Sequence, residues 1–129
     1  MNELIEKYSA RALAYLGDAV FELLAREYLV NKGYSDAGRL SSEAKEIVSA
    51  SAQAKIAKKI LPILTPEEEE FYKKGRNLGH SQTSRNIRPA EYRIATGLES
   101  LFGILHLLGR QERMRELFNI AMDETEAEG

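Results

Sequence analysis

Apolar positions recur along most of the chain at the three- and four-residue spacing of helices, and no stretch alternates convincingly with period two. Glycine and proline cut this pattern into segments. The first helix is predicted from about Leu4 or Ser9 to Asn31, with Gly33 as its stop. Ser35 and Asp36 can cap a second helical stretch reaching about Leu61, broken near Ser41 and Ser42. Ala44, Ile47, Val48, Ala54, Ile56, Ile60 and Leu61 form its apolar side, and Pro62 ends it. Thr65-Pro66-Glu67-Glu68 is a strong helix start, with Thr65 as N-cap, Pro66 at the first helical position and Glu68 completing a capping box. The run Glu67 to Glu70 is then read as capping and a solvated face, and Gly75 as the end of that short helix. Pro89 begins a helix to about Leu108, closed by Gly109. A last amphipathic helix, from about Glu112 to Met122, should bury Met114, Leu117, Phe118 and Ala121. The expected architecture is one all-α domain over residues 1–129, with an acidic, disordered tail from about 123.

Two polar residues interrupt the apolar pattern. From Leu13 to Ala25 apolar side chains point almost all the way round, so the helix is expected near the centre of the fold. Asp18 lies in the middle of it. A buried carboxylate is costly unless a metal ion, an arginine or a hydrogen-bond network pairs with it. Asp18, Glu22 and Arg26 fall at i, i+4 and i+8 on one stripe, which also fits a structural Glu22–Arg26 pair with Asp18 held by a neighbouring donor. The helix after Pro89 has a matching stripe of Thr96, Glu99, Gly103 and His106, set against apolar Ile94, Leu98, Leu101, Phe102, Leu105 and Leu108. Two buried carboxylates without cations close in sequence suggest a shared divalent ion, and hard oxygen ligands favour Mg²⁺, with Mn²⁺ as a substitute. Gly17, Gly97 and Gly103 suit close helix packing. His106 is read as structural.

Composition narrows the chemistry. The 129 residues are 43% hydrophobic, enough for one domain with a core. There is no cysteine, which excludes disulfides and thiolate metal sites, and two histidines far apart in sequence argue against a His-rich zinc site. No apolar run approaches the roughly 20 residues that span a bilayer, so no membrane association and a cytoplasmic location are expected. The net charge of -2 argues against a nucleic-acid binder, but the charges are segregated. Lys73, Lys74, Arg76, Arg85, Arg88 and Arg93 cluster against only Glu91. Within this stretch, Arg76 to Arg88 is a polar loop with almost no hydrophobic anchor, and loops this long are usually functional or mobile. Its arginines can fork onto phosphates, and Asn77, His80, Gln82, Thr83 and Asn86 can meet sugars and base edges. Lys73 and Lys74 precede it. Ser49, Ser51 and Gln53 are lesser contact candidates. Paired carboxylates plus a phosphate-binding loop suggest metal-assisted phosphodiester hydrolysis, without choosing RNA over DNA.

The stretch Leu13-Ala14-Tyr15-Leu16-Gly17-Asp18-Ala19 resembles the signature of the ribonuclease III family, and Thr96-Gly97-Leu98-Glu99-Ser100-Leu101-Phe102-Gly103 resembles its second motif. Together with the Lys-Lys-Gly-Arg-Asn sequence of residues 73–77, they are similar to the small Mini-ribonuclease III class, over essentially the whole chain. No double-stranded-RNA-binding domain is expected. The resemblance implies a helical endonuclease fold, a homodimer, and Mg²⁺-dependent cleavage of duplex RNA. The implied ends are 5′-phosphates and 3′-hydroxyls with a short 3′ overhang. The implied substrate is the 23S ribosomal RNA precursor, with a ribosomal protein as a possible helper. Asp18 and Glu99 match the family's catalytic, metal-binding aspartate and bridging glutamate. Ala14, Thr96 and Arg11 stand where the larger enzymes have further acids. Glu22 is therefore a further metal-ligand candidate and Thr96 a hydrogen-bonding neighbour of the metal. Tyr15 resembles the aromatic at the family's dimer contact, although a tyrosine also serves as plain core. The rival readings are a non-catalytic RNA-binding protein on the same fold and a helical interaction module.

Overall fold

The computed structural model describes residues 3–78 and 89–123. The six RNA-contact candidates from His80 to Arg88, and residues 124–129 of the acidic tail, lie outside this set. The helices are α1 (Glu3–Glu6), α2 (Ala10–Asn31), α3 (Ala37–Val48), α4 (Ala50–Ile60), α5 (Pro66–Arg76), α6 (Pro89–Leu107) and α7 (Gln111–Met122). A 3₁₀ turn, Leu61–Ile63, carries Pro62 after α4. The described residues contain no strand.

Most helix ends follow the local chemistry of the sequence. The Ser9 side chain accepts a hydrogen bond from the Ala12 N–H at 3.0 Å and starts α2. Asp36 accepts from the Arg39 N–H at 2.9 Å and starts α3. Gly33 and Gly109 take positive φ of 102° and 75°, a backbone shape that favours glycine, and each ends a helix. Thr65 and Glu68 close both halves of the capping box, at 3.1 and 3.0 Å.

Three expectations are corrected. The break in the second helical stretch falls at Ser49, not at Ser41 and Ser42. Ser49 is extended and serves both as C-cap of α3 and as side-chain N-cap of α4. Ser42 instead turns its hydroxyl back onto the Arg39 carbonyl and stays helical. Gly75 does not end α5, which continues to Arg76. It is a packing glycine: a Cβ there would lie 2.5 Å from the Ser100 Cβ. The acidic run is not wholly a solvated face either. Glu68 is 3% exposed, and Arg113 of α7 grips both of its carboxylate oxygens at 2.8 Å. Burial alone would raise the Glu68 acid, but the Arg113 guanidinium and the Thr65 cap hold it below its usual value.

Helix α6 is the hub, packed against α2, α4, α5 and α7. Leu98, Leu101, Phe102, Ile104 and Leu105 are all fully buried. Phe21 of α2 meets Phe102 and Phe118 edge-on at 5.6 and 5.5 Å between ring centroids. The α2–α6 crossing has backbone almost on backbone. A Cβ at Gly17 would overlap the Glu99 carbonyl, and one at Gly103 would overlap the Leu13 carbonyl and lie 3.0 Å from the Gly17 nitrogen. Gly97 meets the ring of Tyr72 in the same way, with a Cβ falling 2.7 Å from it.

Candidate active site

The α2–α6 crossing decides where the two marked carboxylates fall. Gly17 rests on the backbone of Glu99, so its neighbour Asp18 stands directly beside the Glu99 side chain, within hydrogen-bonding reach of it. Two acids that are 81 residues apart in sequence thus share one site, as the spacing of the stripes suggested.

Their surroundings differ from the expected dry pocket. Asp18 is exposed and Glu99 is half-buried. The expectation of a wholly buried α2 is corrected by its outer face, where Tyr15, Leu23 and Val30 are 83%, 54% and 59% exposed. Apolar residues do point almost all the way round α2, but the described residues cover only one side of it. Glu99 carries the electrostatic strain of the pair. Burial pushes its carboxyl up, the nearby Asp18 charge adds to this, and a hydrogen bond from the Gln53 amide opposes both, leaving it at about 8. Near neutral pH the pair therefore holds a proton that a divalent cation could replace.

The other candidates sort around this pair. Glu22 is engaged by the Arg26 guanidinium, one turn further along α2, as the structural reading of the stripe foresaw. Thr96 is 7% exposed and donates its hydroxyl to the Tyr92 carbonyl at 2.8 Å. Among the described residues no group of three or more His, Cys, Asp or Glu side chains could together hold a metal. His106 sits exposed near the far end of α6, against the Gln111 amide at 3.2 Å. The residues that could hold a cation are thus Asp18 and Glu99, two hard carboxylates side by side at a solvent-open edge. That set suits Mg²⁺ or Mn²⁺, which take oxygen ligands and readily keep several waters.

Basic residues gather at the end of α5 that packs against α6. Lys73 and Lys74 lie half-buried on the last turns of α5, followed by half-buried Arg76 and exposed Asn77. Arg76 reaches the Asn77 side-chain oxygen at 3.1 and 3.0 Å. Arg76 and Asn77 share a shallow recess with Ala90, Arg93 and Ile94 at the start of α6. Arg93 precedes Glu99 by six residues, about 9 Å along the helix axis. Gly75 sets this end of α5 against Thr96 and Ser100, three residues before and one residue after Glu99.

Gln53 is where the sequence reading went astray. As a lesser nucleic-acid contact it should face solvent, yet it is 2% exposed and reaches Glu99. The signal was present: Gln53, Ile56 and Ile60 share the i, i+3, i+7 face of α4, and both isoleucines are buried. Ser49 and Ser51 are exposed.

The chain matches the Ribonuclease III domain over residues 11–110. It is 46% identical over 110 residues to Mini-ribonuclease 3 of Enterococcus faecalis, covering 84% of this chain and 83% of the relative. It is 38% identical over 117 residues to Mini-ribonuclease 3 of Streptococcus pneumoniae, covering 89% and 91%. A crystal structure of a protein from Fusobacterium nucleatum superposes with a TM-score of 0.85 at 33% identity, over 96% of this chain and 99% of the other.

Proposed function

The chain belongs to the ribonuclease III family, in its Mini-ribonuclease 3 branch, and is an endoribonuclease; from that premise we propose that it cuts duplex RNA with a divalent metal held between Asp18 and Glu99. The observation that carries this is the meeting of the two carboxylates at the α2–α6 crossing, with the Glu99 acid raised to about 8. The metal is Mg²⁺, with Mn²⁺ as substitute. When bound, it activates water and stabilises the charge that develops on the phosphate.

The protein's own residues do the rest. Asp18 and Glu99 supply the negative charge that holds the cation, and Glu99 gives up its proton on binding. Lys73, Lys74, Arg76 and Asn77 at the end of α5 are proposed to take the phosphate backbone, with Arg93, which shares a recess with Arg76 and Asn77, beside them. Arg85 and Arg88, with His80, Gln82, Thr83 and Asn86, are proposed to continue this grip. Glu22 serves Arg26 rather than the metal.

The active form is proposed to be a homodimer. The outer face of α2, with Tyr15, Leu23 and Val30, is the apolar surface a second copy would cover. Two sites related by a twofold axis would each cut one strand, leaving 5′-phosphates, 3′-hydroxyls and a short 3′ overhang. The substrate proposed is duplex RNA at the ends of the 23S ribosomal RNA precursor. A ribosomal protein is proposed as helper, and the cytoplasm as the setting.

One experiment tests the proposal. A base-paired precursor stem is incubated with the protein, with and without Mg²⁺, and the new ends are mapped. Paired cuts on both strands that need Mg²⁺ are expected. Equal cleavage after exhaustive chelation, or full activity of Asp18→Asn and Glu99→Gln, would overturn the metal assignment.

A further inference from the structure

Gln53 is a buried polar side chain that its neighbours only half satisfy. Its Nε2 donates to the Val48 carbonyl at 3.0 Å, and the amide stands beside the Glu99 carboxyl, whose acid it lowers. Its Oε1 is buried without a hydrogen-bond partner. The orientation follows from what surrounds it. The Val48 carbonyl can only accept, so the NH₂ group must face it and the oxygen is left over. A buried unpaired acceptor is costly, so an apolar side chain on this face of α4 would fold at least as well. Val48 is the last residue of α3, and the Ser49 break sets α4 off directly behind it. The amide therefore links the end of α3, the start of α4 and the Glu99 side chain of α6.

We propose that Gln53 is a positioning residue: its amide holds the Glu99 carboxyl in the orientation that faces Asp18, so the pair is set for a divalent cation before one arrives. This rests on the metal reading given above. Burial rules out the alternative of a direct contact with nucleic acid. A purely structural plug is the competing explanation. Groups that orient a metal ligand in this way typically change metal affinity by about 10- to 100-fold when removed.

The test measures Mn²⁺ binding by calorimetry on the full chain without RNA, with thermal melts alongside. The proteins compared are the unmodified chain, Gln53→Met, Gln53→Asn and Glu99→Gln. Gln53→Met fills the space without an amide, whereas Gln53→Asn keeps the amide but shortens its reach. Both are expected to weaken Mn²⁺ binding about tenfold or more and to raise the Mg²⁺ needed for half-maximal cleavage to match. Excess Mg²⁺ should then restore most of the rate. A Kd that stays within about twofold in both variants, whatever happens to Tm, would sink the positioning role while leaving the metal site standing. If Glu99→Gln binds Mn²⁺ as the unmodified chain does, the metal reading falls and the role of Gln53 with it. Should Gln53→Met not fold, Gln53→Asn decides.

Discussion

Asp18 and Glu99 are both carboxylates, but they stand in different surroundings. Asp18 faces solvent, and Glu99 is half-buried with its acid raised to about 8. A raised carboxyl destabilises the folded chain as pH climbs. Below the unfolded value near 4.5 both states are protonated and the group contributes nothing. Between there and about 8 the unfolded chain ionises first, so stability falls across that window and the full penalty persists above it. Glu99→Gln is therefore expected to raise Tm by at least about 3 °C at pH 8 and to leave it nearly unchanged at pH 4. A melt series over pH without metal checks this. The same variant should lose about 100-fold or more in cleavage, since a charge that stabilises the reacting centre is gone. Glu68 behaves in the opposite way. Its lowered acid stabilises the fold above the usual carboxylate range, and that contribution is lost as pH falls through its folded value. Arg113→Met strands the Glu68 carboxylate and is expected to cost about 3 kcal/mol by urea denaturation at pH 7. At this scale the sequence marked Asp18 and Glu99 because charged groups interrupt apolar stripes. It could not say that Asp18 is exposed, because periodicity records which positions are apolar and not which ones the chain itself covers. Gln53 was missed for a related reason: a polar residue type suggested the surface although its spacing matched buried isoleucines.

Among the elements, helix starts were the most legible because capping chemistry is local. Ser9, Asp36 and Thr65 each cap the helix they precede. Helix packing was less so. Gly75 looks like a stop in sequence, and only the approach of α6 makes it a packing position inside α5. The same distinction governs Gly17 and Gly103, whose missing side chains let α2 and α6 touch through their backbones. Gly17→Ala inserts a Cβ into the Glu99 carbonyl and is expected to destabilise the fold by about 3 kcal/mol or more, because no flexible side chain can yield there. A urea titration measures the loss. Any folded fraction should bind Mn²⁺ more weakly, since the displaced helix carries Asp18 away from Glu99.

For the whole molecule, the charge segregation read from the sequence matters more than the net charge of -2. Lys73, Lys74 and Arg76 gather at the end of α5 that Gly75 packs against α6, while Glu67 and Glu68 at the other end of α5 are paired with Arg110 and Arg113. Replacing Lys73, Lys74 and Arg76 together by alanine should weaken duplex-RNA binding evenly across sequences and flatten its salt dependence, by a little under about one unit of slope for each phosphate no longer neutralised. Binding measured over a salt series tests this, and an unchanged slope would remove these residues from the RNA path. The exposed apolar face of α2 makes a second prediction. Tyr15→Arg should shift the protein towards monomers in sedimentation while leaving its helical content intact, because the ring is 83% exposed and outside the core.

The glycines at the α2–α6 crossing also bear on genetics. Every residue other than glycine carries a Cβ, so any missense change in the codon for Gly17 or Gly103 places an atom where the facing helix already lies. A random-mutagenesis screen for lost function should thus recover these two positions about as often as Asp18 and Glu99. Two residues with no functional group would then rank with the acids they bring together.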